Sequence, residues 1–298
     1  MQTVLQVGIP VVLVGMMFVV GLDLQARDFL VVRRQFRLIW IATLAQLVLV
    51  PGVVLLLARF AGLTDELEIG LLVLAACPGG AISNTYTYLA RGNLALSIVL
   101  TAASCSLAFA TLPLICFVGG RMLGHDVVVH VPIASLALQL GLFVLTPIVL
   151  GATLRRRFPA FVTAHQRLWQ RFSLVALVTL LALVVVPEFG RFVQLIPQVA
   201  PLLGLWTLLS GAGGWAIGWL GNATPASRVT LAIEFAVRNL GIGALVGLNA
   251  FAKNDFAVLA ALCFLVQVPL LLAAVYWFRK SIGHARRAWN RVARRSAS

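Results

Sequence analysis

Glu234 and Arg238 are the side chains in this sequence best placed to do chemistry. They stand in VTLAIEFAVRNLGIGALVGL, residues 229–248, where Glu234 is the one acid and Arg238, four positions on, the one base. An ionisable residue inside a membrane span marks an ion or substrate path by default. On an unbroken helix the same spacing would also permit a self-satisfying salt bridge. A second stretch, CPGGAISNTYTYLARGN at residues 77–93, interrupts another apolar run. Pro78 removes a backbone donor, and Gly79 and Gly80 let the chain leave helical geometry. Ser83 and Asn84 follow, both suited to N-cap a second half-helix. Lipid offers no hydrogen-bond partners, so such breaks persist only where protein buries them or where they line a watery cavity. Both stretches point to a binding site built from loosened main chain.

The elements that must position these residues are membrane helices. With 61% hydrophobic and 11% charged residues in 298, the chain has more apolar surface than one soluble core can bury. Runs long enough to cross a bilayer fall at 4–22, 38–58, 67–90, 94–118, 129–153, 172–192, 200–220, 229–251 and 256–278. The expected fold class is therefore an all-α polytopic membrane protein with nine transmembrane helices. Lys and Arg alternate between the connections. Arg27, Arg33, Arg34, Arg37, Arg91, Arg155, Arg156, Arg157, Arg167, Arg171, Arg228 and seven tail residues make eighteen on one side, against Arg59, Arg121, Arg191 and Lys253 on the other. The positive-inside rule then places the C-terminus in the cytoplasm and the N-terminus outside, with a bacterial inner membrane expected. The first span lacks a basic segment before it and is expected to be retained rather than cleaved.

The net charge of +14 lies in short connections rather than on a soluble basic face, so it reports topology and not nucleic-acid binding. The tail RKSIGHARRAWNRVARRSAS reads as a stop-transfer anchor, with attraction to anionic headgroups as a secondary reading. Cys77, Cys105, Cys116 and Cys263 all fall within spans, which excludes an extracellular disulfide framework. His125, His130, His165 and His284 fall in loops without metal-ligand spacing. A membrane enzyme would need acid/base pairs that one intramembrane carboxylate does not supply, and a receptor would be expected to carry a soluble output domain.

The third and eighth spans are separated by five others, so they cross in opposite directions, and each is the middle of a three-helix group. Two interrupted helices in corresponding places of antiparallel halves point to an inverted-repeat secondary transporter, its site near the midplane where the breaks meet. Asn84 and Asn239 occupy comparable places in the two halves. In SGAGGWAIGWLG, Gly211, Gly214 and Gly218 share one helical face and predict close helix packing.

IPVVLVGMMFVVGLDLQARDF, AQLVLVP, CPGGAISNTYTYLARGNLALSIVLT and EFAVRN together resemble the bile acid:sodium symporter family over nearly the whole chain, in a nine-helix form that lacks the first helix of its ten-helix bacterial members. The resemblance implies an inverted-repeat core subdomain, at 38–118 and 200–278, containing two broken crossing helices. It also implies a panel subdomain at 4–22, 129–153 and 172–192 against which the core moves. Sodium is implied as the coupling ion, with no other cofactor. The first sodium site carries over onto Ser83, Asn84, Ser97, Thr101 and Glu234, an all-oxygen set that suits a hard cation. The second carries over onto Gln46, Glu234 and the carbonyls around Phe235 and Val237, but Arg238 stands where the family has a glutamine.

A guanidinium about 5 Å from a cation costs roughly 3 kcal/mol at an effective dielectric of 20. Arg238 is therefore expected to take the place of the second cation, neutralising Glu234, and to limit coupling to one sodium at most. The substrate is expected to be a small organic anion, a carboxylate or sulfonate from bile-acid-like to shorter acids, near Asn84, Thr87 and Asn239, where half-helix N-termini favour negative charge. A sodium-independent or proton-coupled carrier of the same fold is the alternative.

Overall fold

A computed structural model describes residues 2–25, 28–124, 133–250 and 254–295. His125, His130, Arg27 and Lys253 lie outside the described residues. These residues form helices and no strand: α1 (Gln2–Asp23), α2 (Asp28–Ala61), α3 (Asp65–Ala76), α4 (Ile82–Leu89), α5 (Leu94–Leu123), α6 (Ile133–Leu140), α7 (Thr146–Arg157), α8 (Pro159–Ala164), α9 (Gln166–Val185), α10 (Phe189–Leu220), α11 (Pro225–Ala236), α12 (Leu240–Ala250) and α13 (Asn254–Arg295). A π-helical turn, Gly141–Leu145, joins α6 to α7. By length and composition, six segments could cross a membrane: Gln35–Ala61, Leu94–Leu123, Ala134–Arg157, Phe189–Leu220, Pro225–Gly247 and Asp255–Lys280. Gly8–Asp23 is a shorter apolar helix.

Both interruptions have local causes. α3 stops at Cys77, whose extended backbone (φ −60°, ψ 144°) is the conformation forced on a residue preceding proline. The chain resumes as α4 after Ala81. α11 starts with Pro225 at its first position and is capped by Thr224, whose hydroxyl accepts the Ser227 N–H at 3.2 Å. It ends at Ala236 because Val237 turns extended (φ −92°, ψ 129°). After three non-helical residues α12 begins at Leu240, capped by the Asn239 side chain, which accepts the Ile242 N–H at 3.2 Å.

Glycines set the helix contacts. A Cβ at Gly21 of α1 would lie 2.1 Å from the Ile148 carbonyl of α7, and one at Gly151 would lie 2.2 Å from the Phe18 carbonyl. On α10, Gly214 faces the Leu231 carbonyl, Gly211 the Ala232 carbonyl and Gly218 the Leu231 and Arg228 side chains, the close packing that their shared face predicts. α10 also packs on α2, where the Trp206 indole donates to the Val50 carbonyl at 3.3 Å.

Three boundaries differ from the sequence reading. The span expected at 172–192 is α9, six residues earlier, because Pro187 ends it in a turn at 186–188. Residues 189–199 belong instead to α10, which carries Pro197 and Pro201 inside it. The tail beyond Phe278 continues as helix to Arg295, so His284 lies on α13 and not in a loop.

Candidate ion and substrate site

The two interruptions meet. The Asn239 N–H donates to the Pro78 carbonyl at 2.9 Å, pairing one broken backbone with the other. A Cβ at Gly80 would sit 2.8 Å from the Arg238 carbonyl, so only glycine allows the strands of loosened chain to come this close. One at Gly79 would lie 2.9 Å from Glu234 Oε2 and 3.7 Å from Gln46 Nε2. The absent side chain leaves that space beside the carboxylate.

Glu234, fully buried, is the hub. Its Oε1 accepts from Ser83 Oγ at 2.5 Å, from Ser97 Oγ and from Thr101 Oγ1 at 3.2 Å, and Thr101 also reaches Oε2 at 3.2 Å. Ser83 and Thr101 are 3.2 Å from one another. Three elements therefore converge: α4 brings Ser83, α5 brings Ser97 and Thr101 on one face a turn apart, and α11 brings the carboxylate. Ser83 and Asn84 do not cap α4. Ala81 holds that position, and Ser83 lies inside the first turn with its hydroxyl turned to Glu234.

Arg238, also buried, does not pair with the Glu234 carboxylate. The helix ends between them, so the spacing for a salt bridge within one helix is lost. The guanidinium instead donates through Nη2 to the Glu234 and Phe235 carbonyls, both at 2.8 Å, and through Nη1 to the Cys77 carbonyl at 3.2 Å. The expected neutralisation of Glu234 is thus not a contact, and hydroxyls hold the carboxylate. A helix end leaves its last four carbonyls without partners, and each costs several kcal/mol if stranded in a dry membrane interior. Here each is answered. Ile233 accepts from the Val237 N–H at 2.9 Å, Glu234 and Phe235 accept from Arg238, and Ala236 accepts from Gln267 Nε2 of α13 at 3.0 Å.

Other buried polar atoms lack a partner in the protein: both amide atoms of Gln46, both of Asn84, the Thr43, Thr87 and Ser210 hydroxyls and Arg238 Nε. Asn84 follows Ser83 yet its amide is free. Gln46 is near Gly79, beside the carboxylate. Thr87 is fully buried, its methyl facing Gly92 near Thr230. Asn239 faces α1, with Nδ2 3.6 Å from the Met17 sulfur. Hence Ser83, Ser97, Thr101 and Glu234 come together and Phe235 contributes its carbonyl to Arg238. Val237 marks the end of α11.

Sequence reasoning missed Gln267, Ser104, Cys105 and Met17. Ser104 Oγ accepts the Gly79 N–H at 3.2 Å, and the Cys105 thiol lies 3.5 Å from the Gly79 carbonyl. The signal for Gln267 was present: it is a lone amide in the run LCFLVQVPLLLAAV. Met17 carries no such signal, since a methionine in an apolar helix is unremarkable.

Long apolar helices, two of them interrupted where they meet around a buried, hydroxyl-lined carboxylate, define a multi-pass membrane protein. Residues 10–196 match the Sodium Bile acid symporter family, and the chain belongs to that family. It is 30% identical over 268 residues to "Uncharacterized sodium-dependent transporter YocS" of Bacillus subtilis, covering 89% of this chain and 81% of that protein. It is 27% identical to "Probable sodium/metabolite cotransporter BASS2, chloroplastic" of Oryza sativa subsp. japonica, over 90% of this chain and 63% of the relative. With human "Sodium/bile acid cotransporter 4" it shares 28% identity, over 67% of this chain and 46% of the relative. The chain thus spans most of the bacterial relative and less than two thirds of the other two. These relatives are transporters, not enzymes.

Proposed function

We propose that this protein is a secondary active transporter of an organic anion, working by alternating access with sodium symport of at most one ion. The observation that carries the proposal is the assembly of Ser83, Ser97 and Thr101 on Glu234, with the buried amide of Asn84, the next residue of α4, left without a partner. Sodium wants several oxygens. Hydroxyls that now point their protons at the carboxylate can rotate to present lone pairs to a cation, and the Asn84 carbonyl oxygen has no other partner to leave. At the second site the chemistry runs the other way. The Phe235 carbonyl and its neighbours Glu234 and Ala236 already accept from Arg238 and Gln267, and a fixed positive charge sits among them. Gln46, whose amide atoms are free, is what remains of it.

Nine membrane crossings are read with α3 and α4 as one, α6 and α7 as one, and α11 and α12 as one, α8 lying between crossings. The core is then α2–α5 with α10–α13 as an inverted repeat, and the panel is α1, α6–α7 and α9. The substrate is a carboxylate or sulfonate held between them, near Asn239. The membrane is a bacterial inner membrane, with the N-terminus outside and the C-terminus in the cytoplasm. The relatives' names, which speak of sodium and of metabolite or bile acid cotransport, support both the ion and the cargo class.

A second reading, a sodium-independent or proton-coupled carrier, draws on one observation: Glu234 is fully buried and each of its carboxylate oxygens accepts from a hydroxyl. Uptake into vesicles with inward sodium or potassium gradients, each at two pH values, separates the two. Thermal unfolding of the purified protein with a panel of organic acids supplies the cargo, since a ligand of the native state raises apparent stability. A sodium gradient that drives no uptake of any stabilising acid would remove the symport proposal.

A further inference from the structure

The Asn239 amide is fixed in one orientation. Its Oδ1 caps α12 by accepting the Ile242 N–H at 3.2 Å, which leaves its buried NH2 group facing α1 and the Cys105 thiol of α5. There Nδ2 lies 3.6 Å from the Met17 sulfur of α1, and both side chains are buried. A thioether is a weak acceptor on an unbranched stem with three rotatable bonds. The sulfur thus occupies a donor that an anionic oxygen would satisfy better, next to the positive end of α12.

We infer that Met17 is the gate of the substrate cleft and an internal competitor for its anion. When cargo enters, a carboxylate or sulfonate oxygen replaces the Met17 sulfur on Asn239 Nδ2, and the methionine swings away with α1. Part of the binding free energy then goes into displacing the thioether, which lowers apparent affinity. A residue at this position also decides how far a bulky acid can penetrate, because α1 lies against α12. The inference rests on the organic-anion reading above.

Two measurements on the full chain test it. The first labels Met17→Cys in membrane vesicles with a sulfonate-bearing methanethiosulfonate and with its cationic counterpart, each rate normalised to that with free cysteine. The four native cysteines are buried, so the parent sets the background. The gate requires labelling above that background, faster with the sulfonate; labelling no greater than the parent's overturns it.

The second titrates thermal unfolding with cholate and with 3-methylbutyrate. For whichever acid stabilises the parent, Met17→Leu, which lacks the acceptor, should bind several-fold more tightly. Met17→Gln, a stronger internal acceptor, should bind about fivefold to tenfold more weakly, the worth of one hydrogen bond. Unchanged midpoints in both variants overturn the gate and leave the organic-anion reading standing. If neither acid stabilises the parent, the labelling decides alone: reaction of Met17→Cys above background and faster with the sulfonate supports the gate, and reaction at background overturns it.

Discussion

Arg238 directs its hydrogen bonds at main chain rather than at the nearby acid, and that choice of partner decides what each residue of the site contributes. Its three recorded acceptors are carbonyl oxygens of the two helix ends, Cys77 on one side and Glu234 and Phe235 on the other. Gln267 performs the same service for Ala236. Replacing Gln267 with leucine strands that carbonyl, and a buried orphan costs about 1–3 kcal/mol. The expected outcome is a lower melting temperature for Gln267→Leu, whereas Gln267→Glu, which lacks the donor when ionised, should be worse still. Thermal unfolding in detergent reads both. Ser97→Ala acts on the other partner set. It removes one of three hydroxyl donors from a buried carboxylate, worth about 1.5–3 kcal/mol for a bond to a charged group, and it removes an oxygen from the proposed ion site. Ser97→Ala should therefore raise the sodium concentration needed for half-maximal uptake. Sodium dependence unchanged in this variant would separate Ser97 from the ion.

The helices carry the logic of the crossing, and glycine is the residue that permits it. A Cβ at Gly80 meets the Arg238 carbonyl at 2.8 Å, while one at Gly52 of α2 meets nothing within 4 Å. Gly80→Ala should force the two interruptions apart and abolish uptake, and Gly52→Ala should leave uptake at the parental level. Equal activity in the two variants would mean that the breaks do not need to touch. Much of this was legible in the sequence. Pro78 with its flanking glycines announces a break because proline lacks a donor and disfavours helix in the residue before it. Glu234 is conspicuous because a lone acid in an apolar run needs partners. The second break was harder to place. AVRNLG holds no proline, and the helix ends where Val237 turns extended and Asn239 caps the next one, a signal that competes with the regular spacing of Glu234 and Arg238. Tertiary partners were not legible either: the choice of carbonyls over carboxylate for Arg238, and the reach of Gln267 from α13, depend on how distant helices are set against one another. The boundary between α9 and α10 was misplaced because two prolines inside α10 look like an ending, whereas Pro187 is the true one.

Across the molecule, aromatic side chains gather where the basic ones do. Phe36 and Trp40 near the start of α2, Trp219 at the end of α10, and Tyr276 and Trp277 on α13 are exposed. They lie near Arg37 and near Arg279 and Lys280 in sequence, as expected of a belt at a membrane interface. Trp215 stacks on Phe278 with ring centroids 5.4 Å apart, tying α10 to α13 at that end. At the other end of the same two helices, Arg191 grips Asp255 through two bonds, at 3.1 and 2.6 Å. α10 and α13, both in the second half of the proposed core, are thus fastened to one another at both ends. A single cysteine placed near Arg279 should be shielded from an impermeant thiol reagent in intact cells and become reactive when the membrane is opened. The reverse pattern would invert the proposed orientation. The proposal that the crossing holds one cation and Arg238 fills the place of another is tested most directly by equilibrium binding of radioactive sodium to the purified protein. The expected result is about one ion per chain, lost in Glu234→Ala, with a further ion gained in Arg238→Gln as its carbonyls are released. Two ions bound by the parent, or no gain in Arg238→Gln, would contradict it.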